Sequence, residues 1–175
     1  MVVALFTLCS CGSSAKVDIT LKDGTSKNMS IAELNDWKEE STGRSASEFQ
    51  QQISEATVSG SGKVVSVKVE EPFSKNGSTR RGNRFPCKVT LDNGIILDIT
   101  LVYGGGGYGY DNPNYNYPGD IPEVDIYEGD NLSFTGTIYS DCISEDTLEV
   151  RIKTTEIDEF EKKVGLSYIT GVTLN

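Results

Sequence analysis

Histidine is absent from all 175 residues, and that omission removes much familiar chemistry. Without an imidazole the chain has neither the usual proton shuttle near neutral pH nor the commonest transition-metal ligand, so serine-histidine-aspartate catalysis and histidine-zinc sites are excluded. Carboxylates, cations and thiols remain. Pairs such as Asp18/Asp23 and Glu39/Glu40 could in principle act on a sugar, but nothing places them across a cleft and acids occur throughout, so they read as solvated. No catalytic residue, cofactor or metal is therefore expected, and the chain reads as a non-enzyme. Cations are concentrated once, at Lys75, Arg80, Arg81 and Arg84, with no acid between Glu71 and Asp92. Such a patch could dock a phosphate, an acidic glycan or an anionic lipid headgroup; the alternative is a solvated hairpin tip. Cys87 and Cys142 could pair as a disulfide in an oxidising compartment or stay as two separate buried thiols. Asn112, Asn114, Asn116, Asp120 and Glu123 have the ligand spacing of a calcium loop, but Tyr117 stands where that loop needs glycine, so calcium is not assigned.

These groups sit in a folded, acidic chain. Hydrophobic residues make up 37% and charged ones 24%, a globular balance, and the length suits one domain with an appended element. Sixteen Lys and Arg against 26 Asp and Glu give a net charge of -10, which opposes binding to a polyanion and argues against a nucleic-acid partner.

The first residues read as an address. Met1 to Leu8 is an uncharged, largely apolar run far short of the ~20 residues needed to cross a bilayer as a helix, and its size fits the apolar region of a secretory signal. Leu8-Cys9-Ser10-Cys11 resembles the lipobox of bacterial lipoproteins, and Gly12-Ser13-Ser14 is similar to the tether that follows it. The resemblance implies removal of a signal peptide at 1–10, lipidation of Cys11, a tether over 11–16, and residence outside the cytoplasm on a bacterial membrane or cell surface. A signal normally opens with positive charge, and here no Lys or Arg precedes Cys11. The competing reading makes Val2 to Leu8 a buried first strand.

Hydrophobic periodicity outlines the rest. Val17, Ile19 and Leu21 alternate with polar residues before Asp23-Gly24, which predicts a hairpin over 17–29. Ser30-Ile31-Ala32-Glu33 has capping-box spacing, and Ile31, Leu34 and Trp37 share one helical face; Phe49, Ile53 and Ala56 mark a second short helix starting near Ser45. The period then becomes two. Val65, Val67 and Val69, then Phe85, Cys87, Val89 and Leu91, then Ile95 to Tyr103 after Asn93-Gly94, predict three strands; Leu132 to Ile138 and Leu148 to Ile152 supply two more. Gly104 to Gly119 is a Gly/Tyr/Asn loop whose Tyr108, Tyr110, Tyr115 and Tyr117 suit contact with a protein or a glycan. Thr155 to Gly165 reads as a helix carrying Ile157, Phe160 and Val164, and 166–174 as a last strand pairing with Val17 to Leu21. The fold class is thus mainly β with short helices: a hairpin and helical element over 17–57, a five-stranded barrel over 58–154, and a helix and strand over 155–175.

Three segments carry a family resemblance: Ala32-Glu33-Leu34 with the polar helical stretch to Glu55, Val58 to Val67 with Gly60 and Gly62, and Glu128-Gly129-Asp130 leading to Phe134-Thr135-Gly136-Thr137-Ile138. Over roughly residues 30 to 154 they resemble a bacterial family of tRNA-anticodon-domain-like OB-fold proteins, many of them lipoproteins. The resemblance implies an OB-fold-like Greek-key barrel, in which the basic loop borders the usual ligand face and Phe85 and Tyr103 offer a stacking surface. It implies a lipid-anchored, extracytoplasmic binding module for a glycan, an anionic ligand or an envelope protein. The alternative is an envelope interaction or occlusion protein, phage- or mobile-element-encoded for example, working by protein contact.

Overall fold

The structure is a computed structural model that describes residues 16–71, 83–104, 121–158 and 161–175. Its elements run in chain order: β1 (Lys16–Thr20), β2 (Ser26–Ser30), α1 (Ile31–Glu40), α2 (Arg44–Ile53), β3 (Ala56–Val69), β4 (Arg84–Leu91), β5 (Ile95–Tyr103), β6 (Glu123–Val124), β7 (Asn131–Ile138), β8 (Leu148–Thr154), β9 (Glu156–Ile157), β10 (Lys163–Val164), β11 (Ile169–Thr170) and β12 (Val172–Leu174).

Strands β3, β4, β5, β8 and β7 close into a barrel, because β7 pairs both with β8 and back onto β3. All these pairings are antiparallel except β5 with β8, which is parallel and runs from Ile95↔Leu148 to Ile99↔Ile152. This is the expected mainly-β, OB-fold-like architecture. Inward positions alternate as the period predicts: Phe85, Cys87, Val89 and Leu91 on β4, and Ile95, Leu97, Ile99, Leu101 and Tyr103 on β5, are all buried.

Before the barrel, β1 and β2 form the hairpin, and α1 starts at the expected capping box: Glu33 N–H donates to Ser30 Oγ at 3.2 Å and Ser30 N–H to Glu33 Oε2 at 2.7 Å. The bond from the Ser30 backbone holds the Glu33 carboxyl below its ordinary pKa. Leu34, Phe49 and Ile53 join the core, Trp37 packs edge-on against Phe49, and Lys38 Nζ donates to Ile143 O at 2.7 Å. The helices thereby cover the barrel beside the β7–β8 connection.

Three expectations are corrected. On β3 the register shifts between Val64 and Ser66, so Val64 turns inward while Val65 is 47% exposed, and Val67 and Val69 are only half-buried. A bulge adds one residue and reverses the alternation beyond it. The helix expected over Thr155 to Gly165 is not formed in the described part of that segment. Glu156–Ile157 instead runs parallel to Val102 and Tyr103, and Lys163–Val164 parallel to Glu123 and Val124, which buries Ile157 and Val164. Gly165 has an ordinary φ of -75° and leads into a short 3-10 turn at Leu166–Tyr168. Lastly, the C-terminal strands do not pair with β1, whose two edges are taken by β2 and β3; β11 lies on β8 and β12 on β7.

Gly136 marks a close approach of β7 to β8. A Cβ there would lie 2.6 Å from both Arg151 O and Val150 Cγ1 and 2.8 Å from Ile152 Cδ1. Gly136→Ala is therefore expected to destabilise the fold by roughly 1–3 kcal/mol through forced separation of β7 from β8, read as a lower urea midpoint with an unchanged slope.

Candidate ligand groove

The bulge in β3 lies at the edge of an open groove of about 520 Å³. Four segments distant in sequence meet there: Ser61 to Lys63 from β3, Asp92 and Asn93 from the β4–β5 turn, Asn131 and Leu132 from β7, and Asn175 after β12. Backbone bonds hold the walls together. Lys63 N–H donates to Asp92 Oδ1 at 3.0 Å while Asp92 N–H donates to Lys63 O at 2.9 Å, a reciprocal clamp between β3 and the turn. Asn93 Nδ2 donates to Ser61 O at 2.8 Å, and Asn175 N–H donates to Asn131 O at 2.9 Å. Gly62 permits the approach, since a Cβ on it would sit 2.9 Å from Asn93 Nδ2 and 3.1 Å from Leu91.

The remaining capacity of the groove is polar and nearly balanced in charge. Lys63 and Asp92 contribute one charge of each sign, and the Lys63 ammonium makes no ion pair among the described residues. The Asn131 side chain is exposed and has no hydrogen bond among the described residues. Carboxamides offer donors and an acceptor together, so the groove can match a ligand that presents both.

The residues singled out from the sequence are distributed differently. Phe85 and Tyr103 do come together, edge to face with centroids 5.5 Å apart, but inside the barrel at 2% and 0% exposure. They form core, not a stacking surface; the strand period that points them inward outweighs their aromatic character. Tyr103 Oη donates to Glu161 O at 2.7 Å, and burial pushes the phenol up to about 12. Arg84 is exposed at the start of β4 opposite Val102, whereas Lys75, Arg80 and Arg81 lie outside the described residues, as do Cys11, the calcium-spaced positions before Glu123, and the four loop tyrosines. Cys87 and Cys142 are both free and buried, so the disulfide left open by the sequence is not made.

Next to Arg84 the outer face of β4, β5 and β8 carries a self-compensating row. Lys88 faces Asp98, Asp98 faces Arg151, and Lys88 also bonds Glu149. Burial and then Glu149 raise the Asp98 carboxyl, against the pull of Lys88 and Arg151. These charges satisfy one another, which leaves less for a ligand than the groove offers. Among the described residues, no three His, Cys, Asp or Glu side chains gather to hold a metal ion.

The chain matches no family model, no curated protein and no solved structure. The groove therefore rests on its own geometry. Sequence reasoning missed it because its walls come from four separate segments; the one local signal was Gly60-Ser61-Gly62, a spacing that permits close backbone approach.

Burial pushes the Cys87 thiol up to about 12, with Asp98 adding to the effect, and burial also raises Cys142. In a Cys9→Ala/Cys11→Ala chain, an aromatic disulfide reagent at pH 8 is expected to find no rapidly reacting thiol in the folded protein and two in denaturant. Because Cys87 and Tyr103 have folded pKa values raised above their unfolded values of 9.0 and 10.0, their stability contribution is complete below pH 9 and is lost as pH climbs toward 12. The urea midpoint should fall across that window, and Cys87→Ala should flatten its lower part while lowering the neutral-pH baseline.

Proposed function

We propose that the chain is a non-catalytic binding module, lipid-anchored through Cys11 on the outer side of a bacterial membrane, with the groove at the β3 bulge as its ligand site. The observation that carries the binding reading is the convergence of Lys63, Asp92, Asn93, Asn131 and Asn175, from four chain segments, around one open polar space. Side chains of both charge signs and the exposed Asn131 carboxamide form a recognition surface without the nucleophile-and-base pair that group transfer would use. The lipobox-like Leu8-Cys9-Ser10-Cys11 supports the anchor. Two or more acyl chains suffice for stable attachment without a spanning helix.

Anchoring at Cys11 has a geometric consequence. An extended chain advances at most about 3.4 Å per residue, so Lys16, where β1 begins, would stay within roughly 17 Å of the lipidated residue. The module would ride close to the bilayer. Its net charge of -10 would keep the rest of the barrel off an anionic surface.

Fractionation of cells expressing the full chain tests the anchor. The protein is expected in the membrane fraction with a mass increase on a peptide beginning at Cys11, and Cys11→Ala is expected to be unacylated and released by washing. Unprocessed protein retaining Met1 and found wholly in the cytosol would overturn the anchor.

A further inference from the structure

The register of the hairpin adds a direction to the groove. Asp18 pairs with Ser59 and Ile19 with Val58, and a Cβ on Gly60 would lie 3.3 Å from Val17 Cγ1. In this antiparallel register the start of β1 runs toward Ser61, the first residue lining the groove. The groove thus lies at the end of the barrel where β1 begins. On the same outer face, Thr57, Ser59 and Ser61 of β3 stand opposite Thr137, Thr135 and Ser133 of β7. These hydroxyls alternate with buried Val58, Phe134 and Ile138, so they form the outward surface leading into the groove.

We infer that the groove takes a neutral sugar, held by the Asn131 carboxamide and Lys63, with the serine and threonine rows extending the contact. This deepens the proposed function and rests on the groove being its binding site. A vicinal diol donates and accepts at once, as carboxamides and hydroxyls do, whereas a polyanion would meet one cation in a chain of net charge -10. A cationic ligand would find Asp92 as the one acidic side chain among the described residues that line the groove, and its Oδ1 already accepts from Lys63 N–H. The neutral, hydrogen-bonding ligand is the one whose chemistry matches the wall. Nearness to the start of β1 means that the sugar can be either a headgroup of a membrane glycolipid or a free saccharide at the envelope surface.

The test uses the full chain carrying Cys11→Ala, with two forms of probe. The soluble arm titrates neutral tetrasaccharides of glucose, galactose and N-acetylglucosamine, with tetragalacturonate as the acidic counterpart, and follows the side-chain amide signals of Asn93, Asn131 and Asn175 by NMR. The membrane arm measures co-sedimentation with phosphatidylcholine vesicles with and without digalactosyl diacylglycerol. Saturable shifts of those amides by a neutral tetrasaccharide, or sedimentation that requires the galactolipid, are expected, weakened about tenfold by Asn131→Ala and by Lys63→Gln. Both variants change exposed side chains and should leave the urea midpoint in place. The arm that responds identifies the source of the sugar. No response to any neutral probe, a response to tetragalacturonate alone, or shifts confined to residues outside the groove would overturn the inference. Because Cys11→Ala removes the anchor from both arms, sugar binding here and failure of membrane fractionation remain separate results.

Discussion

One strand holds the molecule together. β3 pairs over its first half with β1 on one edge and β7 on the other, and over its second half with β4, so the barrel closes only because a single segment serves both sides. A strand cannot turn that corner with uniform pleating. The register shift between Val64 and Ser66 supplies the bend, and Gly60 and Gly62 keep side chains out of the way of Phe134 and Asn93. The groove is a by-product of the same bend: where β3 leaves β7 for β4, the β4–β5 turn and the start of β7 are brought to opposite sides of Lys63. Barrel closure and the candidate site thus share one physical cause.

Closure also explains how charge is arranged on the outside. The row formed by Lys88, Asp98, Glu149 and Arg151 spans three strands whose parallel and antiparallel registers bring opposite charges face to face. Exposed pairs of this kind contribute little to stability, about 0–1 kcal/mol each. They neutralise that face locally. The outward positions of β3 and β7 carry small hydroxyls instead, while those of β1 are Lys16, Asp18 and Thr20.

Local signals were legible where one interaction range decides the outcome. The Ser30 to Glu33 capping box, the Asn93-Gly94 turn and the alternation along β4 and β5 depend on neighbours within a few residues, and each reads directly from the sequence. Ile157 and Val164 misled because short apolar spacing fits a helix as well as two brief strands, and only the free edges of β5 and β6 choose between them. Phe85 and Tyr103 misled differently. Their aromatic type pointed to a ligand, while their period-two position pointed to the core, and burial settled in favour of position.

Composition, periodicity and spacing determined the mainly-β class of the fold, the absence of histidine chemistry, and the positions of the barrel strands along the chain, because these follow from residue type and nearest neighbours along the chain. Tertiary structure decided the face that Val64 and Val65 present, the partners of the C-terminal strands, the free state of Cys87 and Cys142, and the existence of the groove. Each depends on which backbone edge remains unpaired once β3 has bent, and on contacts among segments as far apart as Ser61 and Asn175. No property of either segment alone encodes their meeting.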